Sequence, residues 1–329
     1  MKRLFIIIAV LIMMFSFAAC SSAKVVMFVP QDASQSDSDA VYEDAIGFIA
    51  TSGEGVEQAF FEAANKYAKN SGYELIAKYS LNALQQADDI LLMLEEGVGS
   101  VIIIPADPDA LGTAAEECNA AGVQLINLLD PINARVSTLI CPDYSLIGIK
   151  GARLAKEAKK DRRLDKLNIY LLETDFDSFT MQLIHDGFVS ELGEDGKLLG
   201  VSHFSQEDLN LDDPFGEIRE DISKATVIFA FNEKLAELAM AENPSAAVIC
   251  CGASKETLEK VSDKSFYASV FYGADEMAKN AVEHAVACAK DSAYVPPEYI
   301  ELSVGVASES SVENYITASA NGYPDPIVQ

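Results

Sequence analysis

The stretch Gly97–Asp130, GVGSVIIIPADPDALGTAAEECNAAGVQLINLLD, decides the fold. Its apolar run, Val101-Ile102-Ile103-Ile104, has no polar alternation, which marks a strand covered on both faces. A Pro/Asp turn, a helix-like segment to Ala121, Gly122 and a second apolar run from Val123 to Leu129 follow. Covered strands joined through a helix of ten or more residues run parallel, so the unit belongs to an α/β sheet. Ligands bind such sheets beyond the carboxyl ends of the strands, which places function at 105–109 and 130–133.

The same alternation continues outward. Helices are expected at 56–69, 83–96, 144–159, 178–192, 215–222, 233–241, 252–261 and 274–289. Strands are expected at 24–29, 73–79, 137–140, 167–172, 198–203, 225–231, 246–251, 266–271 and 299–304, with 308–329 a polar tail. At 329 residues the chain can bury two ordinary cores, at roughly 150 residues each. Two α/β halves connected near Pro142 result.

The N-terminus reads as a targeting segment. Met1-Lys2-Arg3, apolar residues 4–15 and Ser16-Phe17-Ala18-Ala19-Cys20 form a basic start, a short apolar centre and small residues before a cysteine. The segment resembles a bacterial lipoprotein signal, 1–20, in which Cys20 becomes the lipidated N-terminus. The other cysteines, Cys118, Cys141, Cys250, Cys251 and Cys288, have irregular spacing and read as small hydrophobes instead of a disulfide or zinc framework.

Charge and motifs exclude several function classes. The net charge of −27, moving to −29 without Lys2 and Arg3, disfavours nucleic acid, which needs clustered cations. The acidic segment 30–44 reads as a loop or lid and lacks the spacing of a calcium loop. Gly53-Glu54-Gly55 precedes a helix, but Gln58 stands where the third glycine of a dinucleotide site would fall. No cofactor and no metal is expected. With no G-x-S-x-G or H-E-x-x-H motif, and with His185, His203 and His284 scattered along the chain, no enzyme is expected either.

A longer pattern, from Lys24 to Val304, resembles the ribose-type (type I) periplasmic solute-binding proteins of ABC transporters. Gly72-Tyr73, Glu96-Gly97-Val98, Ile102 to Leu111, Ala121-Gly122-Val123, Asp130 and Asp143 to Gly148 carry it in the first half. Gly187-Phe188 and the run from Val227 to Ala236 carry it in the second. The resemblance implies two doubly wound domains joined by three crossovers, near Pro142-Asp143, Phe271-Tyr272 and Ile300-Glu301. One lobe would comprise 21–142 plus 272–299 and the other 143–271 plus 300–329. It also implies an extracytoplasmic monomer on a lipid anchor, handing a small molecule to ABC permease subunits.

The family's ligand residues are only partly present. Asp130 and Asn232 stand in the family's places, whereas Pro131 and Ile184 occupy those of two arginines, Gly252 that of an aspartate and Tyr272 that of a glutamine. Neither proline nor isoleucine supplies a guanidinium's fork of donors. The candidate ligand residues are Glu54, Asp130, Asp175, Asp177, Phe176, Phe179, Asn232 and Tyr272, with Phe48 and Phe231 as further aromatics. Carboxylates with aromatic faces suit a neutral or cationic ligand, sugar-like first, with a nucleoside, an amine or a purely sensory role as alternatives.

The anchor is directly testable. Cys20→Ser should move the protein from the membrane fraction to the soluble one, because the lipid is the main apolar attachment. Equal retention of the mutant in membranes would refute it.

Overall fold

Ser100–Ile103 and Gln124–Leu128 are parallel strands, in register from Ser100 opposite Gln124 to Ile103 opposite Asn127, joined through the helix Gly112–Ala121. They lie in a computed structural model that describes residues 44–174, 179–205, 207–291, 293–318 and 324. In chain order the first elements are β1 (Ala45–Ala50), α1 (Gly55–Ser71), β2 (Glu74–Tyr79), α2 (Ala83–Glu95), β3 (Ser100–Ile103), α3 (Gly112–Ala121), β4 (Gln124–Leu128) and β5 (Thr138–Pro142). All six residues of β1 and all four of β3 are buried, as helices on both faces of the sheet require.

After Pro142 the chain leaves this sheet. It continues as α4 (Tyr144–Asp161), β6 (Asn168–Thr174), α5 (Phe179–Leu192), β7 (Lys197–Phe204), α6 (Arg219–Lys224), β8 (Val227–Ala230), α7 (Glu233–Glu242), β9 (Ala247–Cys251), α8 (Lys255–Ser262) and β10 (Ala268–Tyr272). It returns through α9 (Ala274–Lys290), which packs on α1, and β11 (Tyr299–Leu302), then crosses again to β12 (Val304–Ser308) and α10 (Val312–Ala318). The sheet orders are β11-β5-β4-β3-β1-β2 and β12-β10-β9-β8-β6-β7. Asn82, Asp143, Asn232 and Ser254 each accept a backbone N–H from the first turn of the helix they precede, which fixes where α2, α4, α7 and α8 begin.

The three crossovers lie side by side. Pro142 and Leu302 are register partners in the first sheet, and Tyr272 and Val304 are partners in the second. Asp143 N–H donates to the Leu302 carbonyl at 3.2 Å, and Lys150 Nζ, on α4, donates to the Val304 carbonyl at 2.5 Å. Burial lowers the Lys150 pKa, with Arg153 adding to it. One ammonium thus ties the first helix of the second lobe to the third crossover.

Several expectations need correction. The first described strand is Ala45–Ala50, where no strand was expected; the strand expected at 24–29 and the acidic segment to residue 43 lie outside the described residues. The run 299–304 is two strands in different sheets, so the third crossover falls at Ser303, not at Ile300-Glu301. Because β11 reaches the crossover at its carboxyl end, its continuation must run away from it; β12 is therefore antiparallel to β10, and the second sheet is not wholly parallel. Tyr272 closes β10 in the second sheet, where the sequence placed it at the start of the return. The polar tail contains α10, whose Val312 and Tyr315 are buried, Tyr315 edge-on to Phe271 at 5.0 Å.

The second lobe is held by a backbone-close helix crossing. A Cβ on Gly148 of α4 would overlap the Ile184 carbonyl of α5 and lie 2.6 Å from Phe188 N, and one on Gly187 would overlap the Ser145 carbonyl. Glycine to alanine in an open helix is worth ~1 kcal/mol of added stability. Here Gly148→Ala should instead cost about 1–3 kcal/mol by overpacking, read from urea unfolding. A more stable Gly148→Ala protein would contradict this crossing.

Candidate functional site

The carboxyl ends of both sheets face the crossovers, so the loops after β1, β3, β4, β8, β9 and β10 gather there. Buried amides shape two of these loops. Gln86 of α2 donates from Nε2 to the Ile104 carbonyl at 2.9 Å and accepts from Ala106 N–H at 2.8 Å, which fixes the turn after β3. Asn127 of β4 donates from Nδ2 to the carbonyls of Leu128, at 3.1 Å, and Asp130, at 2.8 Å, and accepts from Ile132 N–H at 3.1 Å. A fully buried amide without partners is costly, so Asn127 forces the tight loop that presents the Asp130 side chain.

Asp130 reaches the other lobe. Its Oδ1 accepts a hydrogen bond from Thr180 Oγ1, at the start of α5, at 2.7 Å. Beside it lies Tyr272, which packs into the cores of both lobes. Burial first, then Asp130, Cys251, Glu233 and Glu57, push the Tyr272 phenol well above its ordinary pKa. Tyr144, the first residue of α4, is shifted upward by burial and by the same Asp130.

Asn232 follows the carboxyl end of β8 in the second lobe. Its Oδ1 accepts from Leu235 N–H at 2.7 Å as the N-cap of α7. Its Nδ2 makes no hydrogen bond among the described residues, which leaves both of its N–H donors for other use. The next residue, Glu233, accepts from Ser254 N–H at 2.7 Å and fills the space at Gly252. Gly252 has φ 138°, and a Cβ there would stand 2.5 Å from Glu233 Cγ and 2.8 Å from Cδ. At the position that resembles a family aspartate, the side chain of a glutamate from α7 fills the space that a Cβ would enter.

The other candidates fare differently. Glu54 is exposed at the start of α1 and caps nothing; the loop is organised by Glu57, which accepts from Thr51 Oγ1 at 2.7 Å, Ser52 N–H at 2.5 Å and Ser52 Oγ at 2.8 Å. Phe48 and Phe231 are core residues, tilted against Phe61 at 5.9 Å and Phe229 at 4.9 Å, and not ligand platforms. Ile184 is buried between α4 and α5, whereas Phe179 is 63% exposed. Asp175, Phe176, Asp177 and Cys20 lie outside the described residues.

Two of the three histidines, which looked scattered in sequence, meet on one buried carboxylate. Glu173, its side chain 4% exposed, accepts from His185 Nδ1 at 2.7 Å and lies 3.3 Å from His203 Nδ1. With Met181, Gln182, Asp186 and Val201 they line a cavity of about 340 Å³ beside α5 and β7. Both Nδ1 atoms are turned to the carboxylate, and among the described residues no group of three or more His, Cys, Asp or Glu side chains is arranged to hold a metal ion. The five described cysteines are free thiols, and burial pushes that of Cys118 up to about 11, far from a reactive thiolate. No helix among the described residues is long and apolar enough to cross a membrane.

Comparison with known proteins agrees with this architecture. Residues 46–292 match the family described as periplasmic binding protein domain. Over 148 residues the chain is 28% identical to the ribose import binding protein of Bacillus subtilis (strain 168). That match takes in 43% of this chain and 45% of the relative, so it spans about half the length of the curated protein. Among solved structures, a carbohydrate transporter solute binding protein from Agrobacterium radiobacter in complex with D-arabinose superposes with a TM-score of 0.72 at 16% identity, covering 86% of this chain and 100% of that one. The Caulobacter myo-inositol binding protein bound to myo-inositol does so with a TM-score of 0.69 at 17% identity, covering 88% and 98%. The chain belongs to the periplasmic binding protein family, with its two doubly wound α/β domains joined by three crossovers.

Proposed function

We propose that this protein is an extracytoplasmic receptor that encloses a small sugar-like ligand between its lobes and hands it to an ABC importer. In this reading it is a monomer tethered by a lipid on Cys20, and it binds without catalysing a reaction. The observation that carries the reading is the Asp130–Thr180 hydrogen bond. A carboxylate presented by the first lobe at the carboxyl ends of its strands touches the second lobe at the corresponding place. A group positioned to meet both lobes interacts differently with open and closed arrangements, and only such differential contact lets a ligand drive closure. The relatives that match are named for ribose import or were solved with D-arabinose and myo-inositol, which favours hydroxylated rings over nucleosides or amino acids.

A thermal-shift screen of the purified protein with D-ribose, D-arabinose, D-allose and myo-inositol, extended to other monosaccharides, tests the reading. A ligand that binds only the folded state, present at about a hundred times its Kd, adds ~2.7 kcal/mol and so raises the melting point by several degrees. A flat response to every sugar and cyclitol would overturn it.

Two substitutions then test the walls of the site, using whichever sugar gives the largest shift. Asp130→Ala should weaken its binding about tenfold to a hundredfold, the cost of an unmet buried hydrogen bond. At Asn232 the cap and the free donor must be separated. Asn232→Ala should lose ~1 kcal/mol of stability, whereas Asn232→Ser keeps a capping oxygen, removes only Nδ2 and should bind about tenfold more weakly at an unchanged melting point. Parent-like affinity in Asn232→Ser, measured by calorimetry, would reduce Asn232 to a helix cap.

A further inference from the structure

We propose that the ligand carries an ammonium group on a hydroxylated ring, an amino sugar or aminocyclitol, held with its nitrogen toward Glu233. This rests on the sugar-receptor reading above and sharpens it. The fold, not the charges, locates the site; the charges say what it takes.

Three carboxylates stand at the carboxyl ends of the strands: Glu57 in the first turn of α1, Asp130 after β4 and Glu233 in the first turn of α7. The donors on Glu57 and Glu233 are neutral: Thr51 and Ser52 serve the first and Ser254 N–H the second, while Thr180 Oγ1 donates to Asp130. The lysines and arginines that pair with acids do so elsewhere, as in Lys78–Asp89, Lys156–Asp195 and Lys260–Glu237, and none of the described ones bridges to Glu57 or Glu233.

The three acids are not equivalent. Three donors from its own loop engage both oxygens of Glu57, which makes it a fixed negative charge. Glu233 uses Oε1 for Ser254 N–H and keeps Oε2 for something else, and it stands where Gly252 leaves no side chain in the way. The Tyr272 phenol, packed into both lobes, feels the same field: burial first, and then Asp130, Glu233 and Glu57 among its charged neighbours, hold its proton in place.

Closure of the lobes over a ligand strips water from these acids. A hydroxyl donating to these carboxylates leaves their charge uncompensated, whereas an ammonium both donates to them and neutralises a charge that burial makes costly. Asn232 Nδ2 and the two phenols remain to meet ring hydroxyls.

The test pairs each sugar with its amine by calorimetry in mildly acidic buffer: D-glucose with D-glucosamine and N-acetyl-D-glucosamine, and D-galactose with D-galactosamine. The expected result is that in at least one pair the amine binds about tenfold more tightly than both its neutral parent and, where measured, its N-acetyl form. Glu233→Gln, whose amide oxygen still accepts from Ser254 N–H, should bring that preference close to unity. Neutral sugars that bind as tightly as their amines throughout would overturn this proposal and leave the sugar receptor standing. No binding by either class would overturn both. A preference that survives Glu233→Gln would overturn the placement of the ammonium; should the variant not fold, the paired comparison on the parent protein decides the ligand class.

Discussion

A strand in a parallel sheet can pass the chain to a second sheet only from its carboxyl end, and in this protein that happens at Pro142, Tyr272 and Leu302. Both sheets must then turn their carboxyl edges toward one place. The register pairs Pro142–Leu302 and Tyr272–Val304 bring the three crossings side by side, and Lys150 holds two of them together through the Val304 carbonyl. The loops that carry Glu57, Asp130, Asn232 and Glu233 converge because the strands beneath them have no other direction in which to end. The antiparallel β12 is the cost of a direct strand-to-strand crossing.

Much of this was legible in the residues, and the limits of legibility are physical. The unbroken Val101–Ile104 run and the helix–Gly–strand order after it can hardly be read otherwise, so the β3–β4 unit stands where expected. The first strand was harder. AIGFIA is short and runs directly into a glycine-rich turn, whereas 24–29 offers an equally apolar run without tertiary context to arbitrate. The break at Ser303 was invisible because YIELSV alternates as one strand would; which sheet a residue joins is a tertiary fact.

The site shows the same division. Asp130 and Asn232 could be named from a resemblance to a family pattern, but Asn127 and Gln86, which shape the loops, gave no local signal because their partners are carbonyls and amides of distant turns. Glu57 and Glu233 looked like ordinary first-turn acids that favour a helix N-terminus. Only the space at Gly252 shows that the Glu233 side chain lies where a side chain at that position would begin. The meeting of His185 and His203 on Glu173 likewise needed a helix and two strands to be placed first. The aromatic residues were ambiguous for the opposite reason: Phe48, inside β1, and Phe231, just after β8, have a pattern that suits a ligand platform and a core residue alike, and packing makes both core.

The central claim is that the two lobes, joined only at these crossings in the chain, close on a ligand held between Asp130 and Asn232. Small-angle X-ray scattering of the purified protein, with and without a saturating sugar taken from the thermal screen, tests this most directly. The account predicts a smaller radius of gyration and a shorter maximum dimension on binding, both lost in Asp130→Ala at the same sugar concentration. Superimposable scattering curves for the free protein and for a complex proven saturated by calorimetry would contradict it.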